Sequence, residues 1–242
     1  MGIIEKLLKK VVLQEATIEE KTKLSSAAYK IRLKSESIAK ADFTPGYFLR
    51  LGIGIDNEDI PINDKVRSYS VWDINKSKGF LDIAIAAHSS GIGAAWAAQS
   101  KPGDTVYFKW KKGNFLVDDS ADSYLMIGDL SALSHLYMIN RSFSKQQQVA
   151  GIAYSQDRSE LFPDVDGATP FTFYEMPPNP VPEIVEEVKK LVPKMKGRKI
   201  VYLAGDSRVC VALNQYFRKE LQWDAKQVKT KPFWNPTKKG LE

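Results

Sequence analysis

The apolar pattern of this 242-residue chain changes character at Asp118–Asp122, a polar run of Asp-Asp-Ser-Ala-Asp. Before it, short stretches rich in β-branched and aromatic residues recur: Val11–Thr17, Leu24–Leu33, Tyr47–Ile55, Lys65–Ile74, Phe80–Ala87 and Thr105–Lys111. Thr44-Pro45-Gly46, the Gly52-Ile53-Gly54 region and the polar Asn75–Gly79 separate them as turns. One helix, about Gly91–Gln99, interrupts the series. Six short strands and a single helix predict a small antiparallel barrel. Gly52-Ile53-Gly54 is turn chemistry, because it lacks the third glycine of a nucleotide fingerprint and no helix follows it.

After Asp122 compact apolar runs alternate with helical periods. Tyr124–Ile127, Gln148–Ala153, Phe171–Glu175 and Ile200–Ala204 read as strands, and Ser131–Arg141 and Arg208–Leu221 as helices. A further helix opens at Pro182, carries Glu183, Glu186 and Glu187 early and Lys189 and Lys190 late, and stops at Pro193. Continuous apolar strands between helices predict an open, mostly parallel α/β sheet. Two of its strands end in Gly-Asp, at Gly128-Asp129 and Gly205-Asp206, which places those loops where open sheets bind ligands. The chain therefore reads as two domains, 1–117 and 118–242.

Composition removes several function classes. One cysteine excludes an intrachain disulfide, and with two histidines it leaves no protein-built transition-metal site. The formal charge is +6, but the lysines and arginines are spread out, with short clusters at Lys9-Lys10, Lys109–Lys112 and Lys238-Lys239. Nothing here builds a nucleic-acid module; an anionic small ligand steered into a positive cleft suits the balance better. Ile3, Ile4, Leu7, Leu8 and Val11 recur at helical spacing among Glu5, Lys6, Lys9 and Lys10. That is a short amphipathic helix, too short and too charged to insert in a membrane or to be a signal peptide. A reducing cytoplasm is the simplest compartment.

The chemistry is concentrated between Arg67 and Phe115. Arg67-Ser68-Tyr69-Ser70 offers a guanidinium fork for a pyrophosphate, a flat phenol for a ring and hydroxyls for ring nitrogens or carbonyls. His88 ends the next strand, and Gly91, Gly93, Ala94, Ala95 and Trp96 open a helix whose first amides face outward to an anion. Order and spacing together suit a flavin nucleotide, although Ser70 equally fits ordinary strand alternation and His88 a structural histidine.

In this order the pieces resemble the ferredoxin–NADP reductase superfamily, and more narrowly the siderophore-interacting proteins, which are FAD-binding ferric-siderophore reductases. Arg67-Ser68-Tyr69-Ser70 matches the family's Arg-x-Tyr-Thr/Ser; His88, Gly91, Gly93, Ala94 and Trp96-Ala97 echo its His-Gly-x-x-Gly-Pro-Ala-Ser-x-Trp-Ala. Pro102-Gly103-Asp104, Gly128–Ser134, Ala204-Gly205-Asp206 and Phe233-Trp234 follow in the family's order. The chain departs from it at Trp72, where a second arginine is usual, and at Trp110-Lys111-Lys112-Gly113 in place of Gly-Pro-x-Gly. Ser134 likewise replaces a proline, and Ala95 a frequent serine.

The resemblance implies a six-stranded antiparallel Greek-key FAD-binding barrel followed by an open parallel-sheet, nucleotide-binding-like α/β domain. It implies a non-covalent FAD on Arg67, Ser68, Tyr69, Ser70, His88, Gly91, Gly93, Ala94, Ala95 and Trp96. Gly128, Asp129, Ser131, Gly205 and Asp206 would line a nicotinamide side, with NAD(P)H or ferredoxin as electron donor. The acceptor would be Fe(III) in a siderophore, attracted by Lys109, Lys111 and Lys231 on charge alone, with no protein ligand to the iron. A flavin reductase or electron-transfer flavoprotein with another acceptor, or a flavin- or siderophore-binding protein without turnover, fits the same residues. Cys210, among Val209, Val211, Ala212 and Leu213, reads as an inert buried thiol.

Overall fold

The structure, a computed structural model, describes residues 14–53, 55, 65–87 and 91–237. The expected amphipathic helix over Ile3–Val11, Gly54 and His88 lie outside the described residues. The chain forms two compact units, one up to Asn114 and one from Phe115.

In the first unit β1 (Gln14–Ser25), β2 (Ala28–Lys34), β3 (Phe48–Gly52), β4 (Val66–Asn75), β5 (Phe80–Ala86) and β6 (Thr105–Lys111) make a closed barrel in the order β1-β2-β5-β4-β3-β6. Every neighbouring pair is antiparallel, as the alternating pattern predicted. Ile31, Leu33, Leu49, Leu51, Leu81, Ile83 and Phe108 fill the interior and are fully buried. The expected strand over Leu24–Leu33 is instead the two arms of a hairpin. Ser25 Oγ accepts the Ala27 N–H at 3.2 Å, which turns the chain and leaves Leu24 in β1. Trp72, where the resemblance leads one to expect an arginine, is 2% exposed and belongs to the core. Arg32 and Asp82 face each other across β2 and β5 and form a bidentate pair, both bonds 2.8 Å. A short helix, α1 (Glu36–Ala39), follows β2, and α2 (Ile92–Gln99) lies between β5 and β6 with Ala94 and Ala97 buried.

In the second unit β7 (Ser123–Asp129), β8 (Gln148–Ser155), β9 (Thr172–Glu175), β10 (Lys199–Asp206) and β11 (Val228–Trp234) form one sheet, order β11-β10-β7-β8-β9. All of its pairs are parallel. β7 is buried along its whole length, which explains its unbroken apolar reading. The helices are α3 (Leu133–Asn140), α4 (Val181–Leu191) and α5 (Ser207–Gln215).

Two boundaries moved. The helix expected from Ser131 begins as a 3₁₀ turn, Leu130–Ala132, because Asp129 caps it from one residue earlier. The one expected to reach Leu221 changes after Gln215 into a π turn over Tyr216–Glu220, closed by Leu221 N–H donating to Tyr216 O at 3.1 Å. β11 was not expected: Lys229, Lys231 and Pro232 disguise it, and an edge strand tolerates all three. No helix among the described residues is long and apolar enough to cross a membrane.

Candidate functional site

The barrel brings the Arg-x-Tyr-Ser segment and the start of α2 together. In the β3–β4 register Arg67 lies opposite Leu51 and Tyr69 opposite Leu49, so both side chains share a face at the end of the barrel. The Tyr69 and Trp96 rings stack, with centroids 6.5 Å apart and planes 25° apart. A Cβ on Gly93 would stand 2.2 Å from the Tyr69 hydroxyl oxygen, so a side chain there would force Tyr69 or α2 to shift. Gly91 heads α2 in an extended conformation, and among the described residues no side chain caps the helix. Its first amides therefore keep their capacity for an anion. Arg67 is half-buried and donates through Nη1 to Val66 O at 2.8 Å.

Ser68 and Ser70 point the other way. Ser68 lies opposite Arg50 and Ser70 opposite Phe48; across β6 the same rows continue to Lys109 and Lys111. The barrel thus places Ser68, Arg50 and Lys109 in one row and Ser70, Phe48 and Lys111 in the next. Arg50, which sequence reasoning missed, is half-buried and its Nε is buried with no hydrogen-bond partner. Like charges directly opposed across strands destabilise a sheet, and an unpaired buried donor costs more. An anion over Arg50 and Lys109 would relieve both. The available sequence signal was the alternation Phe48-Leu49-Arg50-Leu51, which put an arginine on the outer face of a barrel strand.

Donor chemistry and shape at the barrel end fit a flavin nucleotide: a guanidinium, an aromatic face already held by Trp96, and an uncapped helix start approached through a glycine. Ala94 is buried in the helix packing, while Ala95 is exposed.

The residues expected on a nicotinamide side are brought together at the carboxyl ends of β7 and β10, but they engage one another. Asp129 is 7% exposed. Its Oδ1 accepts Ser131 N–H at 2.9 Å and Ser131 Oγ–H at 2.5 Å; its Oδ2 accepts Asp206 N–H at 2.7 Å and Trp234 Nε1–H at 2.8 Å. Burial nonetheless pushes its carboxyl above the usual range, outweighing those donors. Asp206 caps α5, accepting Arg208 N–H at 2.9 Å, and its carboxylate pairs with the Arg208 guanidinium at 2.6 Å. Gly205 has φ +115°, and a Cβ there would stand 2.4 Å from Asp129 Oδ2.

Lys231, on β11 opposite Ala204, belongs to this second unit. Near it His135 is 3% exposed and bonds through Nε2 to Phe115 O at 3.0 Å; burial lowers its pKa to about 4, with Lys231 adding to the shift. Cys210 is buried, and burial pushes its thiol up. Among the described residues no three His, Cys, Asp or Glu side chains stand together as metal ligands.

Two family models match the chain in sequence order. Residues 8–113 match the siderophore-interacting FAD-binding domain, and residues 121–237 match the siderophore-interacting protein model. No curated protein sequence matches the chain. Among solved structures, the siderophore-interacting protein SipS from Aeromonas hydrophila superposes with a TM-score of 0.77 at 19% identity, covering 93% of this chain and 92% of that one. The siderophore-interacting protein from Acinetobacter baumannii gives 0.76 at 17% identity, covering 93% and 91%. Ferredoxin-NADP+ reductase from Plasmodium falciparum gives 0.70 at 12% identity, covering 91% and 96%. At these identities the likeness to solved structures carries the fold.

Proposed function

The chain belongs to the siderophore-interacting protein family, and from that premise we propose that it is an FAD-dependent ferric-siderophore reductase. On this reading the barrel is the FAD-binding domain and the α/β unit its NAD(P)H-binding-like partner, with NAD(P)H or ferredoxin as donor. The observation that carries it is the approach of Tyr69 to Gly93 at the uncapped start of α2, with Arg67 two residues away on the same face.

Arg67 and the first amides of α2 would hold the pyrophosphate; Tyr69, kept in place by Trp96, would lie against the ring system. Ser68 and Ser70 offer hydroxyls on the opposite face, in the rows of Arg50 and Phe48. When bound and reduced by that donor, the flavin would supply one-electron reducing chemistry to Fe(III), its protons passing to solvent. Arg50, Lys109 and Lys111 would draw the anionic ferric chelate to the barrel and orient it. Hard oxygen donors grip Fe(II) far less firmly than Fe(III), so reduction releases the metal and the chain needs no iron ligands of its own.

The test is an anaerobic titration of the FAD-loaded protein followed by its visible spectrum. After reduction, a ferric siderophore should restore the oxidised flavin band while an Fe(II)-specific chelator develops colour. A protein that takes up no FAD, or whose reduced band ignores ferric siderophores but responds to quinones, would end the proposal.

A further inference from the structure

We infer that Asp129 and Asp206 are specificity-determining residues that keep the diphosphate of a nicotinamide dinucleotide out of the α/β unit, so that electrons come from a protein-borne one-electron carrier. The inference rests on the reductase reading above and narrows its donor.

In open parallel sheets a dinucleotide takes the crevice where the strand order reverses. It needs free amides at a helix start, a glycine that lets the backbone approach, and a compensating cation. Here the reversal falls between β7 and β10. Each of those provisions is already engaged inside the protein. The Ser131 and Asp206 amides donate to Asp129, and the Arg208 amide to Asp206. The space beside Gly205 is filled by the Asp129 carboxylate. That beside Gly128 is filled by Leu136 and Ala132, whose atoms would stand 2.7 and 2.9 Å from a Cβ. Arg208, the nearby cation, is bound to Asp206. The Trp234 indole donates to Asp129 from β11, joining a third strand end to the other two.

A diphosphate arriving here would have to displace one carboxylate from each helix start, and Arg208 could reach it only by leaving Asp206. A carrier that brings its own redox centre needs none of these groups. The chain's +6 charge favours an acidic one, which would deliver two electrons in two encounters while solvent supplies two protons to the flavin.

The test titrates ADP-ribose and 2′,5′-ADP, the non-reacting portions of NADH and NADPH, into the full-length FAD-loaded chain, read by calorimetry and amide chemical shifts. Below millimolar concentration we expect no saturable heat and no shift at Ser131, Ser207 or Arg208. Asp206→Ser keeps a capping hydroxyl but frees Arg208, and should bind at least about tenfold more tightly than wild type. Micromolar binding by wild type with shifts at those amides would overturn the inference, and so would an Asp206→Ser variant that binds no better. If Asp206→Ser does not fold, the wild-type titration still decides. Failure of the chain to take up FAD would end the reductase reading, while the titration would still report on the α/β unit alone.

Discussion

The indole of Trp234 donates to Asp129 Oδ2 at 2.8 Å across 105 residues of sequence, joining the last strand of the α/β sheet to its first. A buried carboxylate that loses a charge-assisted donor bears a large part of its desolvation cost unrelieved. Trp234→Phe keeps the ring and removes that donor. It should cost about 1–3 kcal/mol in chemical denaturation of the α/β unit, and FAD uptake by the barrel should be retained.

Gly93 is the tightest point of the proposed flavin site. Gly93→Ala would place a methyl 2.2 Å from the Tyr69 hydroxyl oxygen, so the ring must leave its stack on Trp96 or α2 must shift. Overpacking of this kind costs about 1–3 kcal/mol. The expected result is a lower thermal midpoint and a purified protein with much less bound flavin per chain, read from the visible band.

Arg67 and Arg50 should separate in their effects because they lie on opposite faces of neighbouring strands. Arg67→Ala should weaken FAD binding about ten- to a hundredfold, the worth of a hydrogen bond to a charged group. Arg50→Gln should raise KM for an anionic ferric chelate about tenfold, with the FAD dissociation constant little changed. Fluorescence titration of FAD and steady-state rates distinguish the two.

His135 gives the α/β unit an acid-sensitive contact. Its folded pKa, about 4, lies below the ordinary 6.5, so the unfolded chain binds the extra proton between those values. The neutral ring's contribution is therefore complete above pH 6.5 and is lost as pH falls toward 4; at full size it amounts to about 3 kcal/mol. His135→Gln, which can still donate to Phe115 O, should flatten the fall in stability across that window relative to wild type.

The two-part architecture was legible because each part has its own hydrophobic period. Alternation in Phe80–Ala86 reflects one fully buried face and one less buried one, and the unbroken run of β7 reflects two dry ones. Trp72 was flagged from sequence as a missing charge, whereas its burial makes it a core residue. Arg50 was missed because its meaning depends on which residues face it across β4 and β6, and register is a long-range property. The inward engagement of Asp129 was hidden for the same reason: Gly128-Asp129 reads identically whether its carboxylate faces a ligand or Trp234.

The barrel and the sheet also differ in how they meet other polypeptides. A closed barrel offers no unpaired strand, but the parallel sheet ends in two, β9 and β11. β9 is four residues long, too short a template to recruit another chain. β11 is longer and carries Lys229, Lys231 and Pro232 along its half-buried length. Charge and a missing amide there discourage an incoming strand, so residues that obscured this segment as a strand also guard the molecule against aggregating through it.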